Sequence, residues 1–162
     1  MHANDVLKYG HATFMASHEG LPEAAWLEPG ACGAWSVKDI VAHLASYEQM
    51  LIDVLKSIAG EGPTPTLDHM LAHGDAFNDD EVRRRAALTP AAVLAEYESA
   101  CAAARERVAR LTEDDVRRAG ILTWYGEAYD LEDFLVYAFY GHKREHSAQI
   151  MAFRDRLGGT VD

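Results

Sequence analysis

The sequence predicts an all-α fold: a four-helix bundle with short extra helices in the connection between helices two and three. Apolar residues recur at three- and four-residue spacing over long stretches, and cap-type residues stand directly before those stretches. No alternating strand pattern competes with them, since Ile121-Leu122-Thr123-Trp124-Tyr125 is short and reads as an extended loop. With 162 residues and 49% hydrophobic content, residues 1–162 suit one domain with a sizeable core. The chain shows no repeat, low-complexity tract or second domain.

A first helix is expected from about Ala3 to Glu19, carrying Val6, Leu7, Phe14 and Met15 and ending before Gly20 and Pro22. A turn region with Pro22, Pro29, Gly30 and Gly33 follows. Ser36 then stands where an N-cap belongs, with Asp39 three residues later at the positive helix end. Helix two runs from there to about Ala59, with Ile40, Leu44, Leu51 and Leu55 as an inward stripe that also carries His43 and Tyr47. Between Thr66 and Leu88 the pattern is weaker and more polar, which fits one or two short helices laid over the bundle. Thr89-Pro90 pairs a capping hydroxyl with a proline at the first helical position, and the alanine-rich stretch to Leu111 forms helix three. Asp130 caps a last helix that runs through Leu157, with Gly158-Gly159 as its stop.

The formal charge of −11 excludes broad contact with nucleic acid or an anionic membrane, because both would be repelled. Cys32 and Cys101 stand far apart with no CxxC pairing, so neither a disulfide framework nor a zinc ribbon is expected. The N-terminus lacks a basic start and a signal-length apolar stretch, and no run approaches the roughly 20 apolar residues of a membrane span. A soluble, cytoplasmic protein is the expectation.

The chemistry-bearing residues are histidines. In Tyr140-Gly141-His142-Lys143-Arg144-Glu145-His146 two imidazoles sit at i and i+4, one turn apart on one helix face. That face also carries Leu135, Ala138, Phe139, Gln149, Ile150 and Phe153, so His142 and His146 interrupt a core stripe and need partners there. His43 supplies a third imidazole from another helix. Three neutral imidazoles that leave an open position suit a divalent cation, while a buried cluster of histidine and tyrosine hydrogen bonds satisfies the same residues without one. Ligand type alone does not choose among zinc, nickel, copper and iron.

Other groups carry less. His69 and His73 form a second i,i+4 pair, but in the weakly patterned connection and without a third ligand, so an exposed or rim pair is expected. Neither cysteine adjoins a histidine or a helix start, so both are expected to pack as small apolar residues. Glu48 and Glu145, near the histidines, can orient an imidazole or act as base, and a solvated helix face explains them equally well. Trp35, Trp124, Tyr125 and Tyr129 can wall a pocket or pack in the core, and Tyr137, Phe139 and Tyr140 can be core or a dimer seam.

The run Trp35-Ser36-Val37-Lys38-Asp39-Ile40-Val41-Ala42-His43-Leu44 resembles the opening of the second helix in the DinB-like superfamily. His142-Lys143-Arg144-Glu145-His146-Ser147-Ala148-Gln149-Ile150 is similar to its HxxxH final helix. Phe77-Asn78-Asp79-Asp80 and Ala87-Leu88-Thr89-Pro90-Ala91-Ala92-Val93-Leu94 resemble the DfsB and ClbS branch. The resemblance implies a four-helix bundle, usually dimeric, in which three histidines hold nickel, zinc or a similar ion; by position these are His43, His142 and His146. It also implies thiol-dependent transfer or isomerisation, or hydrolysis of a small electrophile.

The expectation is therefore a homodimeric metal-dependent enzyme in which a low-molecular-weight thiol or water attacks a small-molecule substrate. A non-catalytic small-molecule-binding protein and a dimeric interaction module of the same fold are the alternatives.

Overall fold

The computed structural model describes residues 2–158, and the described chain is helical, as expected. The first helix, α1, spans Ala3–His18 and leads through a 3-10 turn at Glu23–Trp26 to α2, Val37–Ile58. Ser36 caps α2 reciprocally: its hydroxyl accepts from the Asp39 amide at 3.2 Å while the Asp39 carboxylate accepts from the Ser36 amide at 2.9 Å. The expected short helices are α3, Pro65–His73, and α4, Ala76–Arg84. Thr89 caps α5, Pro90–Val108, by accepting from the Ala92 amide at 3.2 Å. Asp130 and Asp133 cap α7, Leu131–Leu135, reciprocally at 2.9 and 3.1 Å.

Three expectations are corrected. Helix three ends at Val108, not Leu111, and a short α6, Glu113–Arg117, follows with its own Thr112–Asp115 capping box. Ile121–Tyr125 forms turns, and among the described residues the only bridge of β type joins Cys32 to Trp35. The last helix is not uniformly α: a π-helical segment, Val136–Gly141, separates α7 from α8, His142–Gly158. Gly158 is the last helical residue, and Gly159 lies outside the described residues. The π segment lies close against α1, since a Cβ on Gly10 would meet the Phe139 carbonyl at 3.1 Å and the Tyr140 Cα at 3.3 Å. A widened turn moves the backbone outward and changes which carbonyls find intrahelical donors.

Helix α2 packs chiefly on α5, and α1 on α8 and the π segment; α1–α5 and α2–α8 contacts close the bundle, with α3 and α4 laid against α2. Buried Glu81 anchors α4 through Arg85 at 2.7 Å, and Arg85 reaches Glu96 of α5 at 2.6 Å. The apolar core falls into two parts, one around Leu7, Leu51, Phe134 and Phe139, the other around Phe14, Ile40, Tyr97, Ile150 and Phe153. Between them on α1, α2 and α8 lie polar or small residues: Gly10 and His11, Ser46 and Glu48, Lys143 and His146. No helix among the described residues is long and apolar enough to cross a membrane.

Candidate metal centre

In the boundary between the two core parts, α2 and α8 bring His43, His142 and His146 together. The Nε2 atoms of His43 and His142 are 2.9 Å apart, as are those of His146 and His142, and one ring nitrogen from each of the three lies within 4.8 Å of the others. Among the described residues this is the cluster able to hold a metal ion. His43 and His146 are buried and His142 is half-buried. The side chains of Trp35 and Tyr47 flank the His43 ring at 5.0 and 4.8 Å between centroids, so residues on either side of the Ser36 cap and one turn along α2 fix that imidazole.

The far ring nitrogens settle the tautomers. His146 Nδ1 donates to the Gln149 side-chain oxygen at 2.8 Å, and His142 is hydrogen-bonded to the Ala138 carbonyl inside the π segment. Each ring therefore turns an unprotonated Nε2 toward the other. Two nitrogen lone pairs at 2.9 Å repel unless a cation lies between them, and nitrogens of one ion's ligand set, each ~2.0–2.1 Å from it, lie within about 4 Å of one another. His43 Nδ1 is buried with no hydrogen-bond partner. The donor set fits a divalent cation of zinc type, with the second nitrogens of His142 and His146 held as orienting hydrogen bonds usually hold them in such sites.

Electrostatics agree with that fit. Burial, then the neighbouring His142 and His146, pushes the His43 imidazole down to about 2. Burial and His146 push His142 down to about 4 against the opposing Ala138 hydrogen bond. Burial also lowers His146, with the Gln149 bond acting the other way. All three are neutral near pH 7, the form that ligates a metal.

A pocket of about 380 Å³ opens beside His142. Tyr47, Trp124, Tyr125, Phe134 and Tyr137 wall it, with Glu145 as its one charged lining residue. Trp124 and Phe134 meet edge-to-face at 5.4 Å, and Tyr125 and Phe134 at 5.0 Å, so the wall is a packed aromatic layer. Of the aromatic candidates read from the sequence, Trp124 and Tyr125 line this pocket, Trp35 packs on His43, and Tyr129 packs on Tyr125 outside it.

The remaining candidates are placed elsewhere. His69 Nδ1 donates to the buried Glu81 carboxylate at 2.9 Å and so ties α3 to α4, while His73 Nδ1 donates to the His69 carbonyl at 3.0 Å within α3. Glu48 does not orient an imidazole. It forms a fully buried ion pair with Lys143 at 2.6 Å, and the ammonium also contacts Cys101 Sγ at 3.9 Å. Burial pushes the Cys101 thiol up to about 12, the state of an inert core cysteine, and Cys32 is likewise free. Sequence reasoning missed Lys143, because a lysine beside two histidines reads as solvated, and it missed Tyr137 as a pocket residue, because that side chain is 75% exposed.

No curated protein and no solved structure matches the chain. The family model of the mycothiol maleylpyruvate isomerase N-terminal domain matches residues 7–132, a span that includes His43 and ends before His142 and His146. The fold, the histidine cluster and this match agree: the chain belongs to the mycothiol maleylpyruvate isomerase N-terminal domain family, within the DinB-like superfamily of helical proteins.

Proposed function

We propose that the protein is a metal-dependent enzyme in which His43, His142 and His146 hold a divalent cation, zinc or nickel, beside a pocket for a small electrophile. The observation that carries this reading is the convergence of three imidazole nitrogens within 4.8 Å next to an aromatic pocket that includes His142 in its lining. A divalent cation supplies Lewis acidity that makes a thiol or water nucleophilic at neutral pH. Gln149 and the Ala138 carbonyl hold two of the rings in the ligating tautomer, and the buried Glu48–Lys143 pair fixes α2 against α8. The aromatic wall keeps water from the apolar part of a substrate.

The family's name joins a thiol, mycothiol, to an isomerisation, which supports a low-molecular-weight thiol as the nucleophile. The likeness of Phe77–Asp80 and Ala87–Leu94 to the DfsB and ClbS branch supports a detoxification or resistance reaction. A homodimer in the cytoplasm completes the proposal: exposed Tyr9 on α1 and Met151 on α8, two helices that pack side by side, support the dimer, and two free cysteines support a reducing compartment.

Zinc- or nickel-loaded protein incubated with mycothiol, bacillithiol or glutathione and a panel of epoxides, cyclopropanes and haloarenes tests the assignment. Thiol- or water-dependent consumption of an electrophile, abolished in His142→Ala, is expected. Electrophiles that bind the loaded protein and are never consumed would make it a binding protein instead.

A further inference from the structure

The pocket beside the histidines is selective in charge as well as in polarity. No lysine or arginine lines it, and its single charged residue is Glu145, for which no ion-pair partner is found among the described residues. Nearby cations are engaged elsewhere: Lys143 with Glu48 in the core, and Arg144 over the Tyr140 ring at 5.5 Å. An anionic ligand would thus meet the Glu145 carboxylate and aromatic side chains with no counter-charge from the chain. A cationic ligand would meet both as attractive partners.

We propose that this pocket takes a hydrophobic organic cation, its apolar body among Trp124, Phe134 and Tyr47 and its ammonium group toward Tyr137 and Glu145. The volume of about 380 Å³ suits a ligand of one or two rings. Aromatic faces bind an ammonium without a full desolvation cost, and the exposed Glu145 adds a modest, salt-dependent attraction. As a statement about substrate, the inference rests on the catalytic reading above; as a statement about ligand charge, it concerns the pocket alone.

Calorimetric titration with three probes of matched shape, 2-naphthylmethylammonium, 2-naphthylmethanol and 2-naphthoate, tests it on metal-loaded and on chelator-treated protein. In the chelator-treated protein the ammonium probe should bind about 3- to 10-fold more tightly than the alcohol, and the carboxylate most weakly. Glu145→Gln should narrow the ammonium-to-alcohol ratio, and Trp124→Ala should weaken both probes while the protein stays folded by circular dichroism. The preference should fade as salt rises. Equal or tighter binding of the alcohol or the carboxylate to chelator-treated protein, or probe binding indifferent to Trp124→Ala, overturns the proposal. Because the chelated arm needs no metal, a protein that fails to load zinc or nickel would sink the catalytic reading and leave this one standing. A metal-loaded protein that prefers the carboxylate overturns the inference as a statement about substrate.

Discussion

At the scale of single residues, the centre depends on which nitrogen of each imidazole carries its proton. Gln149 holds His146 and the Ala138 carbonyl holds His142, so the ligating nitrogens are presented before any ion arrives. Gln149→Ala should therefore weaken zinc affinity by about 10- to 100-fold in a competition titration with a chromophoric chelator, with little loss of fold. Gln149→Glu, which keeps an acceptor at that place, should restore most of it, and unchanged affinity in Gln149→Ala would refute the orienting role. The buried imidazoles also tie stability to pH. Burial holds His11, His18, His43, His142 and His146 below the ordinary value of 6.5, His142 at about 4 and His43 at about 2. As pH falls below 6.5 the unfolded chain takes protons that the folded chain refuses, so the stability of metal-free protein must fall through the interval from 6.5 to 4. Urea midpoints at steps across that interval should decline, less steeply in His18→Phe, where one of these imidazoles is removed from its place between Phe14 and Trp26. A flat or rising series would show that these rings are protonated in the native state.

At the scale of elements, the last helix does two jobs that its sequence announces unequally. The Asp130 cap, the Ser36 and Thr89 caps and the apolar stripes were legible because each uses a local rule of residue type and spacing. The i,i+4 spacing of His142 and His146 was legible for the same reason. The π segment was not, since one residue of extra girth leaves no local signature in residue type or spacing. Nor was the Glu48–Lys143 pair, whose partners are nearly a hundred positions apart and belong to types that stand in water unless paired. Lys143→Met leaves Glu48 buried without a cation and should cost about 3–5 kcal/mol in urea unfolding. The double variant Glu48→Leu, Lys143→Met should recover most of that loss, because the apolar replacement removes both desolvation costs. A single variant as stable as the wild type would show that the pair does not fasten α2 to α8.

At the scale of the whole molecule, two apolar core regions are joined across a layer of polar side chains, and the histidine cluster occupies that layer at the α2–α8 contact. A core so divided gains cohesion from anything that bridges the layer in the native state alone. An ion held at 100 times its dissociation constant adds about 2.7 kcal/mol, so chelation should lower the melting temperature by roughly 5–10 °C for a chain of this size. Melting indifferent to chelator would separate the centre from stability. The fold class was readable from the sequence because every long helix carries its own periodicity, whereas the pocket was readable only in Trp124 and Tyr125, because it is assembled from α2, α3, the turn at Trp124, α7, the π segment and α8. The most direct measurement is elemental analysis of tag-free protein after reconstitution with zinc and with nickel. One ion per chain is expected, lost in both His43→Ala and His146→Ala with the helical spectrum kept. Wild-type protein that takes up no ion, or a His43→Ala variant that keeps the full complement, would contradict the assignment of the centre.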